Sequence, residues 1–515
     1  MLSEVEKLPD NPEILKGIIS DYKSELNILQ EQVRLLRAHI YGPKTEKNRV
    51  DSTEQPTLFD EAEGTEVLEK AATEKEITIP AHKRKTGRKP LPKDLPREDI
   101  IHDLSEEEKK CSCGSELSRI GEEVSEKLDI VPAKVKVLRH IRYKYACRSC
   151  EGVESEGGAV KTAPLPAQII PQGIATPGLL SDILISKFAD AQPFYRQEIK
   201  FARMGIELSR ATMSNWAIQV GKRCGPLISL LRKEILSGPV VNADETTVQV
   251  MKEPGRKNTS KSYMWIFLGG ARGKPGVIYE YHPTRAGDVP KEFLSGYIGY
   301  VQTDGYSGYN FIEGSKDIVH IGCWAHARRK FMDVKRAMSN GKAGSADVAL
   351  SYIRKLYQIE SEAEAAEMTP EQIYDLRQEK AVPVIEEFKS WLDKRIQYTP
   401  PEGLLGKAMN YTLKRWDSLV RYLQDGHLRP DNNLAENAIR PFVVGRKNWL
   451  FSGHPRGADA SAAIYSLIET AKANRLEPYS YLRHLLGNLP SANTEDDYKA
   501  LLPQYIDRNS VALLS

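Results

Sequence analysis

Cysteine is scarce, with six residues in a chain of 515. That density excludes a small disulfide scaffold and points to reduced thiols. Long apolar runs are missing as well. The longest conspicuous uncharged stretch, residues 162–181, holds Pro164, Pro166, Pro171 and Pro177, so it cannot form one membrane helix. The amino terminus, MLSEVEKLPDNPE, lacks the basic and apolar blocks of a signal peptide. A cytoplasmic, soluble protein is the expectation. Net charge is small, at +3, but it is unevenly placed. Residues 51–80 carry nine acids and two bases, whereas residues 81–97 carry seven bases and one acid. An acidic linker followed by a basic arm favours a polyanionic partner such as nucleic acid. The hydrophobic fraction of 40% excludes a wholly disordered chain, and the length suggests about three or four domains.

What is present divides the chain into successive segments. In residues 1–43, Ile19, Leu26, Val33 and Ile40 share one heptad position, and Leu15, Tyr22, Leu29 and Leu36 share another. So narrow a stripe predicts a coiled-coil helix and a homo-oligomer. Residues 44–98 form the linker and arm. The arm contains Lys83, Arg84, Lys85, Arg88 and Lys89 around a Gly-Arg pair. It reads equally as a minor-groove arm and as a solvated basic linker. Residues 99–160 carry Cys111-Ser-Cys113 and Cys147-Arg-Ser-Cys150, flanking a stretch from Val124 to Ile141 that reads as strands. Four thiolates in two close pairs suit one structural Zn²⁺.

Residues 161–235 read as helices. A helix from Phe194 to Met204, a turn at Gly205 and an N-cap at Ser209 precede a third helix from Arg210 to Val220. This is the helix-turn-helix order, which would place Arg210 and Asn215 near DNA, and it is equally the order of an ordinary bundle. From residue 236 the pattern changes to strands at 239–250, 263–268, 276–281, 299–304 and 318–323, with a short helix at Phe293 and a basic helix from Ala325 to Met338. That order describes an RNase H-like layered α/β core, in a first part over 236–344 and a second over 428–490. Residues 345–427 are helical by pattern and read as an all-α insertion. Residues 491–515 read as a peripheral tail. The expected class is thus multidomain α+β.

Three acids carry the chemistry. Asp244 and Asp304 are placed at the ends of apolar strands, and Glu436 on a helix that begins near Asp431. Carboxylates at neighbouring strand ends converge on one sheet edge, where they can hold Mg²⁺ for phosphoryl transfer. Glu245 and Asp431 are the near rivals, and Asn433 with Glu436 could instead form a capping box. Arg328, Arg329, Lys330, Arg440, Arg446 and Lys447 surround the acids and suit a phosphodiester substrate. Trp449 reads first as a core ring and second as a platform for an unpaired base. His320, Cys323 and His326 have ligand-like spacing, but the change from strand to helix between them predicts that their side chains diverge.

These residues resemble the insertion sequence 66 family of transposases over nearly the whole length. The resemblance rests on Ile40-Tyr-Gly-Pro-Lys-Thr-Glu-Lys47, Val131-Pro-Ala-Lys-Val135 and Arg142-Tyr-Lys-Tyr-Ala-Cys147. It continues through Ala243-Asp-Glu-Thr246, Thr303-Asp-Gly-Tyr-Ser-Gly-Tyr309 and Gly322-Cys-Trp-Ala-His-Ala-Arg-Arg-Lys-Phe331. It ends with Asp431-Asn-Asn-Leu-Ala-Glu-Asn-Ala-Ile-Arg-Pro441 and Gly445-Arg-Lys-Asn-Trp-Leu-Phe451. The resemblance implies a DDE triad of Asp244, Asp304 and Glu436 with Mg²⁺ or Mn²⁺, DNA cleavage at element ends, and strand transfer into target DNA. It also implies small accessory proteins as partners and a nucleoid-associated location in a bacterium. A DNA-binding regulator and a nuclease without strand transfer are the competing readings.

Overall fold

A computed structural model describes residues 12–41, 135–146, 160–162, 164, 166–337 and 344–513. Contacts divide the chain into one unit of residues 1–46 and 165–515 and another of residues 47–164. The linker, the basic arm and the four paired cysteines lie outside the described residues.

In the larger unit, α1 spans Pro12–Tyr41. It lies against two helices defined below, α7 and α11. The carboxylate of Glu31 accepts the N–H of Leu404, at the start of α11, at 3.3 Å. Ile19, Tyr22, Leu26, Leu29, Val33, Leu36 and Ile40 are all exposed. In the smaller unit, β1 (Lys144–Ala146) pairs antiparallel with β2 (Val160–Thr162). Of the stretch expected to form strands, Val124 to Ile141, residues 135–141 take no regular structure and the remainder lies outside the described residues.

Four helices precede the main sheet: α2 (Pro177–Phe188), α3 (Phe194–Arg203), α4 (Arg210–Arg223) and α5 (Gly225–Leu236). Thr176 and Ser209 cap α2 and α4 by accepting the N–H groups of Leu179 and Thr212. The helices do not stand apart from the sheet. Their apolar faces share one hydrophobic core with it. At Gly221 a Cβ would lie 2.6 Å from the Ala460 Cα, so glycine permits close packing of α4 on α14, a helix defined below.

The sheet contains β3 (Val240–Val250), β4 (Lys261–Gly269), β5 (Gly276–His282), β6 (Gly299–Gln302) and β7 (Ile318–Ile321). The short helix α6 (Asp288–Phe293) lies between β5 and β6. The spatial order is β5-β4-β3-β6-β7. The pairs β3–β4 and β4–β5 are antiparallel, and β3–β6 and β6–β7 are parallel. A strand absent from the sequence reading, β8 (Phe451–Ser452), runs parallel to the far end of β3.

After β7, α7 (Trp324–Ala337) leads into an all-helical stretch. It comprises α8 (Ser345–Ala365), α9 (Pro370–Leu376), α10 (Val382–Ile396), α11 (Leu404–Lys414) and α12 (Trp416–Val420). It has its own apolar core, built around Trp324, Phe331 and Phe388. Arg377 is 2% exposed at its centre. It donates to Glu360 at 2.8 and 2.7 Å and to the carbonyls of Tyr422, Asp425 and Leu428. Glu360→Ala leaves this guanidinium buried without its counter-charge, and a loss of about 3 kcal/mol is expected. Urea denaturation measures it, and an unchanged midpoint would show that the carbonyls alone suffice.

The chain then returns to the sheet through α13 (Asn433–Trp449) and α14 (Pro455–Ala473), followed by α15 (Pro478–Asn488) and α16 (Glu495–Ala500). On α14, Ser466 and Thr470 accept the N–H groups of Tyr279 and Val277, which satisfies the outer edge of β5. The last residues are not peripheral, because Leu501, Leu502, Ile506 and Val511 are buried in the main core.

Candidate active site

Parallel pairing of β3 with β6 aligns Asn242 with Gln302. Asp244 and Asp304 each follow two residues later, so the strands deliver both acids to the same level. Asp244 is not at a strand end, as the sequence suggested, but inside β3, which continues to Val250. The continuation is held by β4 on one side and β8 on the other. Asp304 lies just beyond β6, and its Oδ1 accepts the Tyr306 N–H at 2.8 Å.

Glu436 arrives from the first turn of α13. No capping box forms there, since the Asn433 side chain donates to Asp431 at 2.9 Å. Asn432 precedes the helix, and its side chain turns inward to the sheet. Its Oδ1 accepts from Asn242 Nδ2 at 3.0 Å, and its Nδ2 donates to the Ala243 carbonyl at 2.8 Å. Asn242 Nδ2 also donates to Gln302 Oε1 at 3.0 Å. These three buried amides tie β3, β6 and the start of α13 together. Sequence reasoning missed them, although their fixed offsets before the acids were visible.

Burial raises the Asp244 carboxyl from its ordinary 3.8 to about 7, and the charge of Glu245 adds to the effect. The Glu245 N–H opposes it, and Asp304 and Glu436 raise it further. The three acids therefore share one electrostatic neighbourhood. Burial also raises Glu245, which the paired Arg285 side chain opposes. Glu245 accepts from Arg285 Nε at 2.7 Å and from Tyr309 Oη at 3.1 Å. Asp244 and Asp304 form no ion pair among the described residues. Carboxylate oxygens brought to one level by paired strands are the donor type that suits a hard divalent cation.

The raised Asp244 has a consequence for stability. Between about pH 4 and pH 7 the folded chain holds this proton and the unfolded chain does not, so stability falls as pH rises through that window. In magnesium-free buffer Asp244→Asn is expected to melt above wild type at about pH 8 and level with it near pH 4. Melting curves at the two pH values check this, and equal curves at the higher pH would contradict it.

The basic candidates fall into groups. Arg329 Nη2 contacts Glu436 Oε2 at 3.2 Å. Lys330 and Arg440 are exposed, and Lys447 is exposed near the end of α13. Arg328 is half-buried on α7. Arg446 donates to Thr246 and Thr247 Oγ1, both at 3.2 Å, and so braces α13 against β3. Trp449 packs against Phe442 and lies below Lys187. Arg210 and Asn215 are exposed on α4. Lys83, Arg84, Lys85, Arg88, Lys89, Cys111, Cys113, Cys147 and Cys150 lie outside the described residues.

The expected divergence of His320, Cys323 and His326 holds only in part. His320 turns away and meets Thr303 Oγ1 at 2.9 Å. Cys323 and His326 instead converge with Glu436, their ligand atoms all lying within 4.8 Å of one another.

Residues 172–460 match the model described as Transposase IS66 family. Residues 108–151 match the zinc-finger binding domain of transposase IS66, and residues 466–504 match the IS66 C-terminal element. Residues 28–100 match the model described as Transposase C of IS166 homeodomain. Uncharacterized protein y4jD of Sinorhizobium fredii is 33% identical over 518 residues, covering 97% of each chain. Uncharacterized protein y4hP of the same organism is 30% identical, covering 94% of this chain and 89% of its own. No helix among the described residues is long and apolar enough to cross a membrane. With family models spanning the finger, the sheet and the carboxyl-terminal helices, the chain belongs to the IS66 transposase family.

Proposed function

We propose that this transposase cuts DNA at the ends of its element and joins the freed strand to target DNA, with Asp244, Asp304 and Glu436 as its catalytic acids. The observation that carries the reading is the common level of Asp244 and Asp304 on paired parallel strands, with Glu436 delivered by a helix tied to those strands. The strand order β5-β4-β3-β6-β7 supports an RNase H-like core interrupted by the helical insertion.

In the first step water attacks the phosphorus at the element end, and the bond to the 3′-oxygen breaks. In the second, the released 3′-hydroxyl attacks a target phosphodiester. One phosphodiester bond forms as another breaks, so no external energy source is required. Bound Mg²⁺ or Mn²⁺ would supply charge neutralisation at the attacking and leaving oxygens. The chain's own part is to hold the three carboxylates in fixed register and to keep Glu245 neutralised by Arg285. Arg329, Lys330, Arg440 and Lys447 offer positive charge to the DNA backbone.

In the same reading, Cys111, Cys113, Cys147 and Cys150 hold structural Zn²⁺, as the match to the zinc-finger model supports. The basic arm and the start of α4 contact the element end, and a second copy covers the heptad stripe of α1. Small accessory proteins of the same element complete the assembly at the bacterial nucleoid. Purified protein, labelled element ends, plasmid target and Mg²⁺ test the reading, with joined product expected. Cleavage without joining would indicate a nuclease, and binding alone a regulator.

A further inference from the structure

We propose that Cys323, His326 and Glu436 form a second cation site, selective for thiophilic ions of the Zn²⁺ class, whose occupation withdraws Glu436 from catalysis. The consequence for catalysis rests on the function proposed above, whereas the binding site itself does not.

The ligands come from two elements. Cys323 immediately precedes α7, His326 lies in its first turn, and Glu436 lies in the first turn of α13. Their ligand atoms lie within 4.8 Å of one another. A cation at their centre needs only a modest contraction to reach ordinary bond lengths of about 2.0–2.3 Å. The two helix starts are already joined, since the Trp324 N–H donates to the Pro430 carbonyl at 2.9 Å.

Two independent features point to a ligand. First, His326 Nδ1 and Glu436 Oε1 are both buried and lack a hydrogen-bond partner. They face each other at 3.6 Å. Buried polar atoms are normally satisfied, and one ion would satisfy both. Second, Cys323 Sγ lies in the same gap between the two helix starts, within 4.8 Å of both ligand atoms. Burial pushes its thiol up to about 12, and the N–H groups of Asn432, at 3.2 Å, and of His326 oppose that rise.

The donor set decides the class of ion. A thiolate, an imidazole and one carboxylate suit Zn²⁺ and its softer neighbours, whereas Mg²⁺ prefers oxygen ligands alone. Three protein ligands leave a fourth position for water. Binding releases the Cys323 proton to solvent. Arg329 opposes a cation electrostatically, but it holds Oε2 of Glu436 and is half-exposed, so Oε1 remains free to bind.

The test uses full-length protein with zinc already in its finger, titrated with Co²⁺. Wild type is expected to bind one more equivalent than Cys323→Ser or His326→Gln, with a sulfur-to-cobalt absorption band that Cys323→Ser loses. Asp304→Asn should keep the band. Equal binding and equal spectra in wild type and both ligand variants would overturn the site. His326→Gln guards against a folding defect at the more deeply buried cysteine, and melting curves confirm the fold of each variant. In the joining assay, Zn²⁺ added against excess Mg²⁺ should inhibit wild type, and His326→Gln should need about tenfold more Zn²⁺ for the same fractional inhibition. Zinc binding lost in the variants without altered inhibition would reject the withdrawal of Glu436. Complete absence of cleavage, with the cobalt band present, would count against the proposed function and leave the site standing.

Discussion

Asp304→Asn is expected to reduce joining of element ends to target DNA by at least about 10³-fold. The substitution changes charge and little else. Asparagine keeps the shape of the side chain, and its Oδ1 can still accept the Tyr306 N–H that holds Asp304 beyond β6. The fold is therefore preserved. What disappears is one of the negative charges that would hold a divalent cation against the scissile phosphate. DNA binding should persist or tighten slightly, because an acid near the phosphate backbone has been neutralised while Lys330, Arg440 and Lys447 remain. Asp317→Asn, an exposed acid beside the opposite end of the parallel strands, serves as the control and should join at the wild-type rate. Joined product and bound fraction are measured from the same reactions. Near-normal joining by Asp304→Asn would remove the residue from the chemistry, and loss of binding together with joining would indicate a fold defect instead.

The strand texture was legible because apolar residues flank each acid, and every expected strand of the main sheet is present within a few residues. The strand expected at 239–250 matches β3, and only the placing of Asp244 at a strand end was wrong, because the apolar run stops at Ala243. The residues after it continue the strand, paired residue for residue with β4. β8 was invisible for a related reason, since two residues give no periodicity. The carboxyl-terminal segment was read as peripheral because its apolar residues follow no regular repeat, yet Ala492, Leu501, Leu502, Ile506 and Val511 are buried in the main core. The helical character of α8 to α12 was readable from its sustained pattern, whereas the sharing of one core by α2 to α5 and the sheet was not. Helix amphipathicity shows that a face is buried, but not against what. Around the acids, the sequence supplied the charged residues and missed the neutral ones. Asn432 looked like an ordinary residue before a helix, since Asn is common there. Its inward turn depends on Asn242, far away in sequence.

That inward turn makes Asn432 the neutral residue on which the site most depends. Asn432→Ala deletes both contacts of the side chain and leaves the Ala243 carbonyl without this buried partner. The cost in stability is about 1–3 kcal/mol. The effect on activity should be larger than that cost explains. Glu436 follows one helical turn after Asn432, and its N–H bonds to the Asn432 carbonyl at 3.2 Å. Freeing the helix start from β3 loosens the third acid relative to the first two. Partners behind metal ligands typically change affinity or activity by about 10–100-fold, and a loss in this range is expected for joining. The concentration of Mg²⁺ for half-maximal rate should rise about tenfold, because the loosened acid no longer presents its oxygen at a fixed distance. A purely structural role makes a different prediction. The rate deficit would then follow the folded fraction, and the Mg²⁺ dependence of the remaining folded molecules would match wild type. Measuring both at a temperature where the variant is fully folded separates the cases. An unshifted Mg²⁺ curve would reduce Asn432 to a packing residue, whereas a shifted curve with an intact fold would show that the amide network sets the geometry in which the acids act.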